Sequence, residues 1–210
     1  LTLARISKRY GSAVALQDVS LRVRRGTVHV LLGENGAGKT TLMHIAFGMV
    51  RPDAGVVYVQ GRIVEAHSPA DAIRAGIGMV HQHFTLVPAM TVAENVALGM
   101  HGRFDAVAAA DRVRQLGLRT GLVLDPTAQV ESLPVGAQQR LEIVKALARD
   151  ARLLILDEST AVLAPGEADE LMRWVRRFRD EGRAVVLITH KLREALSVAD
   201  DVTVLRRGRT

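Results

Sequence analysis

Residues Gly33, Glu34, Asn35, Gly36, Ala37, Gly38, Lys39 and Thr40 follow an apolar run, 27–32, and lead into a helix-like stretch, 39–47. Together they make a complete P-loop, which constrains a fold tightly: a strand must deliver the loop and a helix must leave it. The glycines let the chain wrap a phosphate without side chains in the way. Backbone N–H groups and the positive end of the following helix then face the anion. Lys39 has the length to reach β- and γ-phosphates, and the Thr40 hydroxyl is placed for Mg²⁺. A plain glycine-rich surface turn is the bland alternative, and it needs neither the strand before nor the helix after.

At 210 residues the chain suits one domain, or a core plus a small insert. With no cysteine it has no disulfide framework and no thiolate metal site. No apolar run approaches the ~20 residues needed to cross a bilayer. The first residues, Leu1-Thr2-Leu3-Ala4-Arg5, have no signal-peptide shape and lack an initiator Met, as an excised segment would. These features suggest a soluble protein of a reducing compartment. Net charge is +6 with pI near 10.4, which raises nucleic acid or an anionic membrane as partners. Yet the arginines are scattered apart from the runs 22–25, 173–179 and 206–209. Aromatic residues are 3% of the chain, too few for a base-stacking platform. Solvated helix faces explain the charge with fewer assumptions, and no nucleic-acid partner is expected.

Short apolar or alternating stretches predict strands at 1–6, 19–23 and 28–32. The turn residues 52–55 and the Gln60-Gly61 hairpin signal bracket two more, 56–59 and 62–64. These predict an antiparallel sheet beside the P-loop core. Ser68-Pro69 opens a helix to about Ala75, and 77–80 reads as a core strand. The stretch 88–150 differs, being mainly helical. Thr91 and Glu94 form a capping-box pattern, a helix spans about 106–116 with Gly117 placed to end it, and 136–149 carries Leu141, Val144 and Ala148 at helical spacing. Strand 153–156, helix 166–180, strand 184–189, helix 191–198 and strand 202–205 then alternate, which predicts a parallel sheet with crossover helices.

The strand 153–156 ends in Asp157-Glu158, bringing two acids to the sheet's carboxyl edge. Asp157 suits Mg²⁺ there, and Glu158 suits the orientation of an attacking water. Acids after a strand are otherwise ordinary helix N-terminal charges. Gln82 follows the strand 77–80 and can contact Mg²⁺ or water. His190 ends the strand 184–189 at the same edge, within reach of a γ-phosphate. His81 and His83 lack a further ligand at suitable spacing, so no metal is expected on them.

The order Tyr10, P-loop, Gln82, Leu133 to Arg140, Leu153 to Glu158 and His190 resembles the ATP-binding subunit of ABC transporters over nearly the whole chain. The resemblance implies an α/β P-loop NTPase with a RecA-like parallel-sheet core, a flanking antiparallel β subdomain and an inserted α-helical subdomain. It implies one ABC ATPase domain, with 1–87 and 151–210 as core and 88–150 as the helical signature subdomain. Its implied cofactors are ATP and Mg²⁺. Tyr10 would stack on adenine. Gly33, Asn35, Gly36, Gly38, Lys39, Thr40 and Thr41 would bind the nucleotide as Walker A. Thr40, Gln82 and Asp157 would hold the metal, and Glu158, His190 and Gln82 would serve catalysis. Leu133, Val135, Gly136 and Gln138 would form the signature facing ATP held by a partner.

Finer likenesses, in 78–84, 135–147, 160–163, 189–192 and 202–208, resemble nucleoside and simple-sugar importers. Those usually carry two ATPase halves in one polypeptide, and this chain matches the first, stopping in its closing strands as a C-terminally truncated piece would. Implied partners are a second ATPase domain, in the missing half or another subunit, transmembrane permease subunits and, indirectly, a solute-binding protein. The implied location is peripheral, on the cytoplasmic face of the plasma (inner) membrane.

Three departures stand out. Pro134 replaces the signature serine and removes a hydroxyl and a backbone N–H. Lost donors aimed at transition-state charge cost roughly 10²–10³ in rate each, so the composite site completed by this signature is expected to be weak. Ser159 replaces the usual Pro after Asp157-Glu158. Ala164 replaces the usual D-loop Asp, which bears on coupling across the interface. Rival readings are a soluble ABC ATPase acting on nucleic acid or ribosomes, a P-loop small-molecule kinase, and a degenerate regulatory nucleotide-binding module.

Overall fold

The computed structural model describes residues 1–64, 68–100 and 102–210. In chain order its elements are β1 (Thr2–Tyr10), β2 (Ala13–Arg22), β3 (Val28–Leu32), α1 (Lys39–Ala46), β4 (Ala54–Val59), β5 (Arg62–Ile63), α2 (Pro69–Arg74), β6 (Ile77–Val80), α3 (Val92–Ala97), α4 (Ala106–Thr120), α5 (Val135–Leu147), β7 (Leu153–Asp157), α6 (Pro165–Asp180), β8 (Ala184–Thr189), α7 (Leu192–Val198) and β9 (Asp201–Val204).

Two sheets form. The parallel sheet has the order β6-β7-β8-β3-β9, and the antiparallel sheet the order β2-β1-β4-β5. Strands β7 and β8 are buried throughout, which is why they read as continuous apolar runs. Their alternate side chains enter different cores. Leu154, Leu156, Val185 and Leu187 face the helices α3 to α6, while Leu153, Ile155, Val186 and Ile188 face α1 and the antiparallel sheet. Each such fully buried side chain contributes roughly 1.5–3 kcal/mol, so the parallel sheet is the rigid middle layer between two apolar cores.

Two sequence expectations are corrected. The first two strands are longer than their patterns suggest and join as one hairpin, with Tyr10 opposite Ala13. Register shifts along β1, with left-handed backbone at Arg5 and Asp18, break the two-residue alternation that would have revealed their length. Helix α4 does not stop at Gly117. It continues to Thr120 and is capped by Gly121 at φ 75°. Gly117 is buried inside the helix, where a Cβ would sit 3.3 Å from the Val123 Cα, so the glycine serves the close return of the chain rather than the stop.

The helical segment is fastened locally. Thr91 accepts from the Glu94 N–H, and the Glu94 carboxylate accepts from the Thr91 N–H, the reciprocal cap expected from the sequence.

Candidate functional site

Because β3, β6, β7 and β8 run parallel, their C-terminal ends lie along one edge of the sheet. The P-loop leaves β3 there, Gln82 follows β6, Asp157 ends β7, and His190 follows β8. Ligands of open α/β sheets bind at this edge.

Gly38 is the N-cap of α1 at φ 103°, a conformation that side-chain-bearing residues rarely adopt, and a Cβ there would meet the Ala15 carbonyl at 2.5 Å. It bends the loop so that α1 begins at Lys39. The Lys39 ammonium folds back over the loop and donates to the carbonyls of Gly33 at 2.8 Å and Glu34 at 3.0 Å. Its side chain is buried, so the charge is held by two carbonyl dipoles at the place where a phosphate would compete for it. Asn35 and Gly36 are exposed at the loop tip, and Thr41 lies in the first turn of α1. Tyr10 stands half-exposed at the end of β1, with the Lys8 ammonium 5.7 Å from its ring centroid.

The Thr40 side chain lies beside the Asp157 carboxylate, close enough to favour its ionised form. One Asp157 oxygen, Oδ1, is buried without a partner. An orphaned carboxylate oxygen beside a threonine hydroxyl, both hard donors at the mouth of a phosphate loop, fits Mg²⁺. Burial pushes the Asp157 carboxyl above its ordinary 3.8; the Thr40 side chain and nearby His44 and Lys39 oppose this, and Glu158 adds to it. The folded protein therefore binds that proton more tightly than the unfolded chain. The stability this group gives is present below the ordinary value and lost as pH rises through the folded one, so ionised Asp157 opposes folding at neutral pH. Asp157→Asn is expected to raise Tm at neutral pH without Mg²⁺, at about 2–4 °C per kcal/mol for a domain of this size. Calorimetry at acid and neutral pH checks this; a gain present equally at both would assign it to something other than the charge.

Glu158 has left-handed backbone at φ 46°. For a residue with a side chain this costs roughly 1–3 kcal/mol and persists only where surroundings enforce it. Here the Glu158 N–H donates to the Ile188 carbonyl at 3.1 Å, and its own carbonyl accepts from Ala161 at 2.9 Å. The carboxylate is held from two sides. The Gln82 amide donates to Oε2 at 3.3 Å, and His190 Nδ1 lies 3.3 Å from Oε1. Three residues from three different strand ends thus meet at one carboxylate.

Glu194, absent from the sequence reading, ties the surrounding loops together. Its carboxylate accepts from the Thr160 hydroxyl at 2.7 Å and the Thr189 hydroxyl at 3.2 Å, and it pairs with Lys191 at 3.1 Å. The signal available in the sequence was an acid in the first helical turn after His190. His81 packs edge-on against the rings of His44 and Phe47.

The signature residues gather elsewhere, at the N-terminal turn of α5. Gln138 folds back to donate to the Leu133 carbonyl at 2.9 Å, Val135 is exposed, and Gly136 is buried against the Glu167 carboxylate. Pro134 is the N-cap, its carbonyl accepting from the Ala137 and Gln138 N–H groups. Ser159 is buried with its hydroxyl unpartnered. Ala164 caps α6, where it has no side-chain acceptor; its N–H donates to Glu167 at 3.0 Å.

The model of the family described as ABC transporter matches residues 16–161. The nucleoside import ATP-binding protein NupA of Lactococcus lactis subsp. cremoris is 47% identical over 209 residues, 98% of this chain and 41% of that protein. The ribose import ATP-binding protein RbsA 1 of Rubrobacter xylanophilus is 47% identical over 213 residues, 100% of this chain and 43% of that protein. The chain thus spans less than half the length of these relatives. A solved nucleotide-free ATP-binding cassette from an ABC transporter superposes with a TM-score of 0.88 at 25% identity, covering 99% of this chain and 88% of that one. With its fold, its P-loop and more than half its length matched, this chain belongs to the ABC transporter family.

Proposed function

We propose that this chain is the ATP-binding and hydrolysing part of an ABC importer for a small solute, a nucleoside or a simple sugar. The observation that carries the reading is the convergence of Lys39, Thr40, Asp157, Glu158, Gln82 and His190 on one sheet edge. The P-loop residues Gly33, Asn35, Gly36, Gly38, Lys39, Thr40 and Thr41 cradle the triphosphate, and Tyr10 offers its exposed ring to adenine. Thr40 and Asp157, with Gln82, would hold Mg²⁺, which would supply positive charge against the triphosphate. Glu158 accepts the proton of the attacking water and orients it in line. His190 and Gln82 fix that carboxylate and donate toward the γ-phosphate. Phosphoryl transfer to water needs little more than such positioning and charge stabilisation.

The signature residues Leu133, Val135, Gly136 and Gln138 gather at the start of α5, where Val135 is exposed, and this suits completion of a second domain's site. That domain lies in the same polypeptide or another subunit. The pair sits peripherally on permease subunits at the cytoplasmic face of the membrane, with a solute-binding protein as indirect partner. Among the described residues no helix is long and apolar enough to cross a membrane, so the solute path belongs to other segments or subunits. The likeness to a nucleoside import and a ribose import ATP-binding protein supports import of nucleosides or ribose.

The test uses the full-length polypeptide with its permease in proteoliposomes. Mg²⁺-dependent release of phosphate and ATP-driven uptake of labelled nucleosides or pentoses are expected. Phosphoryl transfer to a metabolite, or turnover that requires DNA or RNA, would overturn the reading.

The signature itself yields a second expectation. Pro134→Ser restores a backbone N–H and a hydroxyl at the N-cap of α5. Turnover at the site it completes should rise about 10²-fold, measured as phosphate release with the other site inactivated. An unchanged rate would exclude the missing donors as the limit.

A further inference from the structure

Between β6 and α3 lies a stretch without regular structure, and Gln82 sits near its start. On the side nearer Gln82, side chains of the helical segment hold its backbone at Val87 and at Thr85. Asn95, fully buried on α3, accepts from the Val87 N–H at 2.8 Å and donates to the Val87 carbonyl at 3.0 Å. Closer to Gln82, the carboxylate of Glu142 on α5 accepts from the Thr85 N–H at 2.5 Å and from the Thr85 hydroxyl at 3.0 Å. Lys145, one turn on, donates to the Thr85 carbonyl at 3.0 Å. Donor and acceptor of one residue's backbone are thus both held by side chains of one helix.

Glu142 is 3% exposed. A buried carboxylate is costly unless its oxygens receive strong hydrogen bonds, and a buried pair is weak evidence for stability alone. An apolar residue would pack α5 with less cost. What the carboxylate adds is direction: it fixes Thr85, and thereby the chain three residues earlier, where the Gln82 amide meets Glu158 at 3.3 Å.

We propose that Glu142 is a positioning residue that, through Thr85, sets Gln82 against Glu158 and ties the carboxylate's orientation to the place of α5. It touches none of the reacting atoms. The same helix opens with the signature residues, so the clamp makes Gln82 and that segment parts of one mechanical unit. The inference rests on the ATPase reading of this site.

Steady-state hydrolysis by the full-length protein with its permease tests it. Glu142→Ala should lower kcat about tenfold, as loss of hydrogen bonds to a charged group implies, and leave the KM for ATP unchanged, because the P-loop is untouched. Glu142→Gln should recover most of the rate, since its amide oxygen still accepts from Thr85. In a Gln82→Ala background, Glu142→Ala should add no further loss; a general structural role would add its full cost there. Should Glu142→Ala fail to fold, Thr85→Val removes the hydroxyl alone and should also show no added loss with Gln82→Ala. An unaltered kcat, a KM effect without a kcat effect, or additive losses overturn the role of Glu142 while wild-type turnover stands. A wild type without Mg²⁺-dependent turnover overturns the ATPase reading and this inference together.

Discussion

Glu158→Gln is expected to bind ATP as tightly as the wild type and to hydrolyse it about 10²–10⁴ times more slowly, the range a positioned general base supplies. The substitution keeps the volume and leaves the backbone constraints at φ 46° unchanged, because both hydrogen bonds that hold the residue are main-chain bonds to Ile188 and Ala161. The glutamine still presents a carbonyl oxygen to the Gln82 amide. What disappears is the charge that accepts a proton from water, and with it the polarisation of the His190 imidazole beside Oε1. Equilibrium binding of ATP and single-turnover phosphate release separate the two effects. Turnover within a few-fold of the wild type would remove Glu158 from the chemistry.

Lys39→Ala is expected to weaken both binding and hydrolysis, with kcat/KM falling about 10³-fold or more when one charge-assisted bond to the ground state and one transition-state donor are lost together. Among the described residues, the ammonium now satisfied by the Gly33 and Glu34 carbonyls belongs to the only buried Lys or Arg side chain. Its exchange from carbonyl dipoles to a phosphate costs little reorganisation, since both partners lie within the reach of one side chain. Alanine leaves the loop backbone in place, so a fall in affinity with an unchanged Tm would assign the loss to charge. A variant that binds and turns over ATP normally would show that the loop serves another anion.

Much of the site was legible along the chain because its parts are punctuated by glycine, lysine and acids after apolar runs. The P-loop announces a strand and a helix by itself, and β3 and α1 occupy those places. Gln82, Asp157 and His190 were readable for a different reason: each sits at or within two residues of the end of a short buried strand, and strand ends of a parallel sheet share an edge. Glu142 and Glu194 were not readable. Each is a single acid in a helix, where acids are common, and its meaning comes from partners far off in sequence, Thr85 at 57 residues and Thr160 at 34. Gly117 misled because a glycine near a helix end signals a stop unless packing demands it inside, and only the return of the chain at Val123 creates that demand.

The sequence by itself determined the phosphate loop, the alternation of buried strands with helices, and the residue types able to meet a metal-bound triphosphate, because these follow from local backbone geometry and side-chain chemistry. The tertiary structure alone decided which of these groups touch. Hydrogen bonds between Gln82, Glu158 and His190, and the clamp from Glu142 to Thr85, depend on the order in which strands pair and on how α5 lies against the sheet, and no local pattern encodes those long-range distances.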